Sequence, residues 1–351
     1  MPGEAVQKIL LDNTFYRPHI QLDCQMIQAL VKEQAFARAP VVVGDIGARL
    51  GFDRSWDLFT DQCLQVGFEP DGEECARIRA EYATRSSHPV PRERIENIAL
   101  WDSIGTRTLY VVREPTNTSC FPPNQAFFRR LPDATRMQVV GTREITTTTL
   151  DCYHEEQGVS FDVLKLDVQG GELPILRGGV QQLRDSVLAV VVEVEFVEMY
   201  AGQPLFPEID HFMREQQFSL FDLDVCRWRH RQLPKTFEGI RVGRIVWANA
   251  LYLKEPLEHG PLRGDPETQR IKLLKLAALA EFFSLPDYAI ELLAHAKDLG
   301  AIDTVRYEWL VKLLYANRII AQSYRNEFNP MTNPHVSTVY TSSEVPETSH
   351  P

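Results

Sequence analysis

One stretch constrains this chain more than any other. In Ala39-Pro-Val-Val-Val-Gly-Asp-Ile-Gly-Ala-Arg-Leu-Gly51, an apolar run from Val41 to Val43 leads into Gly44, Asp45, Gly47 and Gly51. That pattern predicts a fully buried parallel strand delivered into a tight turn and then a helix. The spacing Asp-x-Gly-x-x-x-Gly differs from the Gly-x-Gly-x-x-Gly that seats a pyrophosphate on a helix N-terminus. A carboxylate at the strand end would repel phosphate. It suits a ligand that presents an ammonium or a sulfonium, and glycines let the backbone approach an amino acid and a ribose. S-adenosylmethionine is such a ligand.

A second acid lies about twenty residues on. Leu64-Gln-Val-Gly-Phe-Glu-Pro70 reads as a second strand ending in Glu69, where a carboxylate can accept both ribose hydroxyls of an adenosine. Taken alone, Glu69 would look the same in a NAD-binding protein, so it is the pair with Asp45 that points to the cofactor. The structural alternative is that Asp45 caps the next helix and Glu69 is solvated.

The totals bound the rest. The 351 residues suffice for one large domain with additions or for two, and 44% hydrophobic content is that of a globular protein. A formal net charge of −11 argues against nucleic acid or an anionic membrane as the main partner. Six scattered cysteines without metal spacing read as reduced thiols of a cytoplasmic protein, and the apolar run Val187 to Phe196 is too short to span a bilayer. No signal-peptide pattern opens the chain.

In chain order, helical spacing predicts a helical segment over 1–38, and an α/β domain follows over 39–256. Arg54 to Cys63 and Gly72 to Tyr82 are expected as crossover helices, with Ser86 to Pro91 a loop. Ile95 to Asp102 is expected as the third strand, with Trp101 beside an adenine and Asp102 accepting from its amino group. Thr108 to Val112 reads as an extra strand and Pro115 to Pro123 as an active-site loop. Ser160 to Asp167 leads through Gly170 and Gly171 into a helix from Glu172 to about Leu183. Val187 to Phe196, Phe218 to Val225 and Val246 to Lys254 are expected as strands, the last two an antiparallel pair, with a helix over Pro207 to Gln217. Alternation of strands and helices predicts a parallel sheet covered on both faces. Three amphipathic helices between 264 and 322 read as an appendage that packs on the main domain or forms a homodimer contact, and 329–351 as a disordered tail.

The motifs Gly44-Asp-Ile-Gly-Ala-Arg-Leu-Gly51, Gly67-Phe-Glu-Pro70, Ile98-Ala-Leu-Trp-Asp102, Thr149-Leu-Asp151, Leu164-Lys-Leu-Asp-Val-Gln-Gly-Gly-Glu172 and Val192-Glu-Val-Glu195 together resemble the FkbM family of S-adenosylmethionine-dependent methyltransferases. The resemblance covers roughly residues 40 to 255. It implies a class I methyltransferase (Rossmann-like) fold, a seven-stranded, mostly parallel sheet with one antiparallel strand, and O-methylation of a hydroxyl on a sugar, polyketide or related metabolite. Arg49 departs from the Asn usual in that family. A left-handed backbone there would suit Gly or Asn better, so either the turn differs or Arg49 reaches an acidic substrate.

Methyl transfer asks the protein to align the acceptor and take a proton. Asp167 sits at the carboxyl edge of its strand, where ligands bind in open α/β sheets. Glu193 and Glu195 share one face of their strand and need a cation, donors or the mouth of a cleft. The catalytic candidates are Asp167, Glu172 and Glu193, although Glu172 is also what a helix dipole alone would favour. His154, Tyr200 and His211 are weaker candidates for the base, and Lys165 is expected in a structural ion pair. The cofactor candidates are Asp45, Gly47, Gly51, Glu69, Trp101 and Asp102. With Asp167, the glutamates offer oxygen ligands for Mg²⁺, but a metal-free site is the expectation. Two rival readings stand beside this one: a NAD-dependent oxidoreductase, against which Asp45 speaks, and a non-catalytic scaffold that keeps the fold, which Arg49 keeps open.

Overall fold

The computed structural model of the protein describes residues 24–83, 92–131, 134–228 and 243–316. The readings for residues 1–23, for the loop Ser86 to Pro91, for 317–322 and for the tail 329–351 lie outside the described residues.

The run from Pro40 becomes β1 (Val41–Ile46), which pairs in parallel with β2 (Cys63–Phe68) on one side and β7 (Val163–Leu166) on the other. With β3 (Arg92–Glu96), β8 (Ala189–Glu195), β9 (Phe218–Trp228) and β10 (Arg244–Lys254) they form one sheet of order β3-β2-β1-β7-β8-β10-β9. β10 runs antiparallel to both of its neighbours, and the other described pairings are parallel. This is the class I methyltransferase arrangement that the family resemblance implies, with the late pair placed so that β10 is the single reversed strand.

A second sheet was only partly foreseen. β4 (Ala99–Leu100), β5 (Gly105–Val112) and β6 (Val139–Thr148) pair in the order β4-β6-β5. The third strand of the main sheet therefore ends at Glu96, and Ala99–Leu100 belongs to this arm, a correction to the reading of Ile95 to Asp102 as one strand. Ladder partners decide it: Ile95 pairs with Gly67 of β2, whereas Ala99 pairs with Thr147 of β6.

Two helices also differ from expectation. The first crossover is a 3₁₀ segment, Arg54–Gln62, with a break at Thr60 (φ 53°). Asp53 caps it by accepting from the Ser55 amide at 2.8 Å. The helix expected from Glu172 to Leu183 is two, Glu172–Arg177 and Val180–Asp185, parted at Gly178 and Gly179. A Cβ on Gly178 would lie 2.1 Å from the Trp101 carbonyl oxygen, so the chain must pass there without a side chain.

The sheet is covered on both faces. Residues of β1 alternate, Val41 and Val43 toward one core and Ile46 toward the other. One face is packed by Leu150–Gln157, Glu172–Arg177, Val180–Asp185 and Phe206–Glu215. The opposite face is packed by α1 (Gln25–Lys32), the 3₁₀ segment and the helices Pro266–Phe282, Pro286–Asp298 and Thr304–Ala316. The helices read from sequence as an appendage thus share one continuous core with β1, β7, β8 and β10. Stacking of Trp56 on Phe282 at 4.3 Å between ring centroids lies at the join.

Candidate active site

The carboxyl ends of β1, β2, β7 and β8 and the start of β10 open onto a cavity of about 590 Å³, roofed by Leu109 and Ile145 of the arm. That volume is in the range of about 300–1,000 Å³ usual for small-molecule sites. Gly47, at the end of β1, has the left-handed φ of 90° that lets the chain turn, and its amide donates to the Phe68 carbonyl at 3.1 Å. Glu69, at the end of β2, lines the cavity while only 4% exposed. One of its oxygens accepts from the Asp71 amide at 2.8 Å, which fixes the carboxylate. Burial raises its pKa, opposed by that bond and by Arg49.

Trp101 lines the same cavity, and a Cβ on Gly171 would come within 2.8 Å of its ring. Asp102 does not line it. Its exposed carboxylate lies 3.4 Å from Arg107 and accepts from Ser103, because the chain has already turned outward into β5. Gly51 stands outside as well: its φ of 84° ends the short 3₁₀ turn Ala48–Leu50, and a Cβ there would meet the Tyr82 hydroxyl at 2.8 Å. The positive φ belongs to Gly47 and Gly51, not to Arg49. Arg49 sits in a right-handed turn that an arginine adopts without strain, and its guanidinium lies on the cavity wall 3.7 Å from Asp71.

Asp45 is positioned differently from its reading as the ligand's counter-charge. Strand alternation turns it to the opposite side of β1 from Ile46, where its carboxylate lies 3.0 Å from the Lys165 ammonium in a small hollow walled by Trp56 and Phe282. Burial acts to lower the Lys165 pKa, but Asp45, Asp167 and Glu193 outweigh it and hold the ammonium charged. Lys165 is therefore the expected ion-pair residue, and Asp45 acts from beneath the loop.

After β7 the chain turns through Gln169 (φ 62°) and Gly170 (φ 100°). The Gln169 side-chain amide donates to Asp167 Oδ1 and to Glu193 Oε1, each at 2.9 Å. Its Oε1 accepts from the Tyr200 hydroxyl at 2.7 Å, and its main-chain carbonyl from the Ser119 hydroxyl at 2.6 Å. Two of the three catalytic candidates, Asp167 and Glu193, are thus brought to one amide on the cavity wall. Glu172 is not on that wall. It is 1% exposed and accepts from the Val168 amide at 2.7 Å, holding the loop from below. Burial raises its pKa to about 7. Burial, with Asp167, Glu195 and Glu172, pushes Glu193 well above the ordinary carboxylate range, and burial with Glu172 does the same to Glu195.

Of the weaker candidates for the base, only Tyr200 enters the site; His154 bonds the Val159 carbonyl at 2.9 Å and His211 is an exposed partner of Glu215. Gln169 was overlooked as a functional residue. Its signal was a lone amide between a carboxylate and two glycines, where a left-handed turn is needed. Among the described residues no group of three or more His, Cys, Asp and Glu side chains is arranged to hold a metal ion.

The cavity's chemistry fits S-adenosylmethionine. A fixed acid for a ribose lies at Glu69, apolar and aromatic walls for a base at Phe68, Ile98, Leu100 and Trp101, and a carboxylate for a cationic end at Asp167.

Comparison with known proteins bears on the same residues. Three solved structures are similar in part: an FkbM methyltransferase from Methylobacillus flagellatus (10% identity, TM-score 0.36, 61% of this chain and 43% of that one), magnesium protoporphyrin IX methyltransferase from Synechocystis with bound S-adenosylmethionine (9%, 0.32, 72% and 92%), and precorrin-6Y C5,15-methyltransferase from Geobacter metallireducens (10%, 0.31, 65% and 87%). The match to the first spans less than half of that protein's length, and at these TM-scores the likenesses carry no argument about function. Curated proteins yield no match. The methyltransferase FkbM domain, in contrast, matches residues 45–220, half of the chain, from the end of β1 through every strand from β2 to β8. This chain belongs to the FkbM methyltransferase domain family, whose methyl donor is S-adenosylmethionine.

Proposed function

We propose that the protein methylates a hydroxyl group of a small-molecule acceptor, using S-adenosylmethionine. The observation that supports this reading best is the pair of carboxylates, Asp167 and Glu193, held by one amide of Gln169 at the wall where the cofactor cavity meets a second cavity.

When bound, the cofactor supplies a methyl group on a sulfonium, and a neutral thioether leaves. The chain has four tasks. Glu69 accepts from the ribose hydroxyls through the oxygen that the Asp71 amide does not occupy. Phe68, Ile98, Leu100 and Trp101 give the base an apolar slot. Asp167 places negative charge at the cationic end. Glu193 takes the proton that the acceptor oxygen loses as it gains the methyl, and Gln169, itself braced by Tyr200 and Ser119, keeps Glu193 from swinging away.

The raised pKa of Glu193 suits this role, because a base is most effective when its pKa approaches the working pH. It also requires that the carboxyl be ionised, so turnover should rise with pH as Glu193 loses its proton above the ordinary carboxylate range.

Calorimetric titration with S-adenosylhomocysteine and a methyl-transfer assay test the reading together. Glu69→Ala should weaken binding by about 1.5–3 kcal/mol, the worth of hydrogen bonds to a charged group. Glu193→Gln should bind the nucleoside as the wild type does and lose roughly 10²–10⁴-fold in turnover, with its rise in rate with pH flattened. A wild type that binds no S-adenosylhomocysteine would overturn the proposal.

A further inference from the structure

Beside the cofactor cavity lies a second one of about 470 Å³, and the two share Asn117, Gln169, Glu193 and Trp247. The shared side carries its amides and the Glu193 carboxylate. Beyond them the walls are Phe128, Leu131, Met137, Met199 and Trp228, with Trp247 at the join. The other polar residues are Arg136 and Arg227, both on exposed backbone positions at the solvent side. Arg136 is paired with Glu114 at 3.2 Å, whereas Arg227 donates to the Gly243 carbonyl at 3.3 Å and has no ion-pair partner among the described residues.

A sugar would find too few donors and acceptors in such a space. Each hydroxyl taken from water without a partner costs roughly 1–3 kcal/mol on the scale of protein mutations, and a ring of several hydroxyls would meet sulfur and aromatic carbon over most of its surface. A flat aromatic body would instead stack on Trp228 and Trp247 and touch the polarizable Met137 and Met199 sulfurs. The polar groups at the two ends then dictate polar groups on the ligand: a hydroxyl at Glu193, and an anion at the guanidinium of Arg227.

We infer that the second cavity is the acceptor subsite and that its acceptor is a hydroxylated aryl acid, with the hydroxyl toward Glu193 and Gln169 and the carboxylate toward Arg227. This rests on the methyl-transfer reading and narrows it from the sugar and polyketide hydroxyls expected from sequence. The step balances simply: the phenolic oxygen forms a bond to the methyl carbon, the carbon–sulfur bond breaks with its electron pair left on sulfur, and the phenolic proton passes to Glu193.

The test is a titration of the full chain, with and without S-adenosylhomocysteine, following tryptophan fluorescence. The probes are 6-hydroxy-2-naphthoate, 2-naphthol and methyl glucoside. The hydroxynaphthoate should bind and quench, 2-naphthol should bind about tenfold more weakly, a difference of about 1.4 kcal/mol, and the glucoside should not compete. Trp228→Phe and Trp228→Ala should weaken the hydroxynaphthoate in that order. Arg227→Gln, on an exposed side chain, should melt as the wild type does yet bind naphthol and hydroxynaphthoate equally. Binding of the glucoside in preference to the aryl acid, or aryl-acid binding unchanged in Trp228→Ala and Arg227→Gln, would overturn the inference. Failure of S-adenosylhomocysteine to bind would overturn the methyl-transfer reading itself, and aryl-acid binding would still be read directly in its absence.

Discussion

Gly47 has no room for a side chain. Its φ is 90°, and a Cβ built there would lie 2.0 Å from the carbonyl oxygen of Asp167, main chain that cannot step aside without moving the site. Gly47→Ala should therefore cost at least about 1–3 kcal/mol, read by urea unfolding, and S-adenosylhomocysteine affinity should fall with it. The buried glutamates make a second residue-scale prediction. Glu172, Glu193 and Glu195 all have folded-state pKa values raised by burial, Glu172 to about 7. Between the unfolded value of 4.5 and the folded one, the folded chain holds more protons than the unfolded chain, so stability falls as pH rises. These three groups should make the protein less stable at pH 8 than at pH 5. Glu195→Gln removes one buried charge without changing shape and should shrink that difference in thermal melts. A melting temperature that falls equally in wild type and variant would contradict the account.

At the scale of elements, two buried carboxylates fasten the helix Pro266–Phe282, one to the sheet and one to α1. Asp162, at the start of β7, accepts from the Val42 amide at 2.8 Å and from the Lys275 ammonium at 2.7 Å, and Lys275 also donates to the Pro40 carbonyl at 2.8 Å. All this joins the helix Pro266–Phe282 to the first residues of β1. Lys275→Met would strand a buried carboxylate, and such a loss typically costs about 3–5 kcal/mol. Chemical denaturation should show it, with partial recovery in the double variant Lys275→Met, Asp162→Asn. Glu281 does similar work at the other end of the same helix. Its carboxylate accepts from the Met26 and Ile27 amides at 3.0 and 2.8 Å, so the first turn of α1 is capped by a residue about 250 positions away in sequence. Glu281→Ala should leave those donors unpaired and cost roughly 1–3 kcal/mol.

For the whole molecule, the three late helices form one layer of the fold. They cover β1, β7, β8 and β10 through Leu274, Ala277, Leu279, Phe282 and Leu292, each nearly inaccessible. A chain ending at residue 262 would bare that face and should aggregate or unfold without a cooperative transition. A sharp melt close to that of the full chain would refute this. Much of this architecture was legible beforehand. Val41 to Val43 declared a buried strand, the turn glycines declared where it ends, and the order of strands and helices declared a doubly covered parallel sheet, because periodicity and turn chemistry act over a few residues. That Glu69 and Asp167 stand at strand ends on the cavity wall was legible for the same reason, each being the polar residue that closes an apolar run. Side-chain direction was not. Asp45 turned to the far face of β1 and Asp102 outward with β5, and the arm that claimed Ala99 was decided by ladder partners some 48 residues away. Sequence by itself determined most strands of the main sheet, the turns that end them and the family of this protein. Only the tertiary structure decided that Asp167, Gln169 and Glu193 meet, that Trp228 and Trp247 wall a second cavity beside them, and that the late helices cover one face of the sheet, since these depend on which distant surfaces pack together.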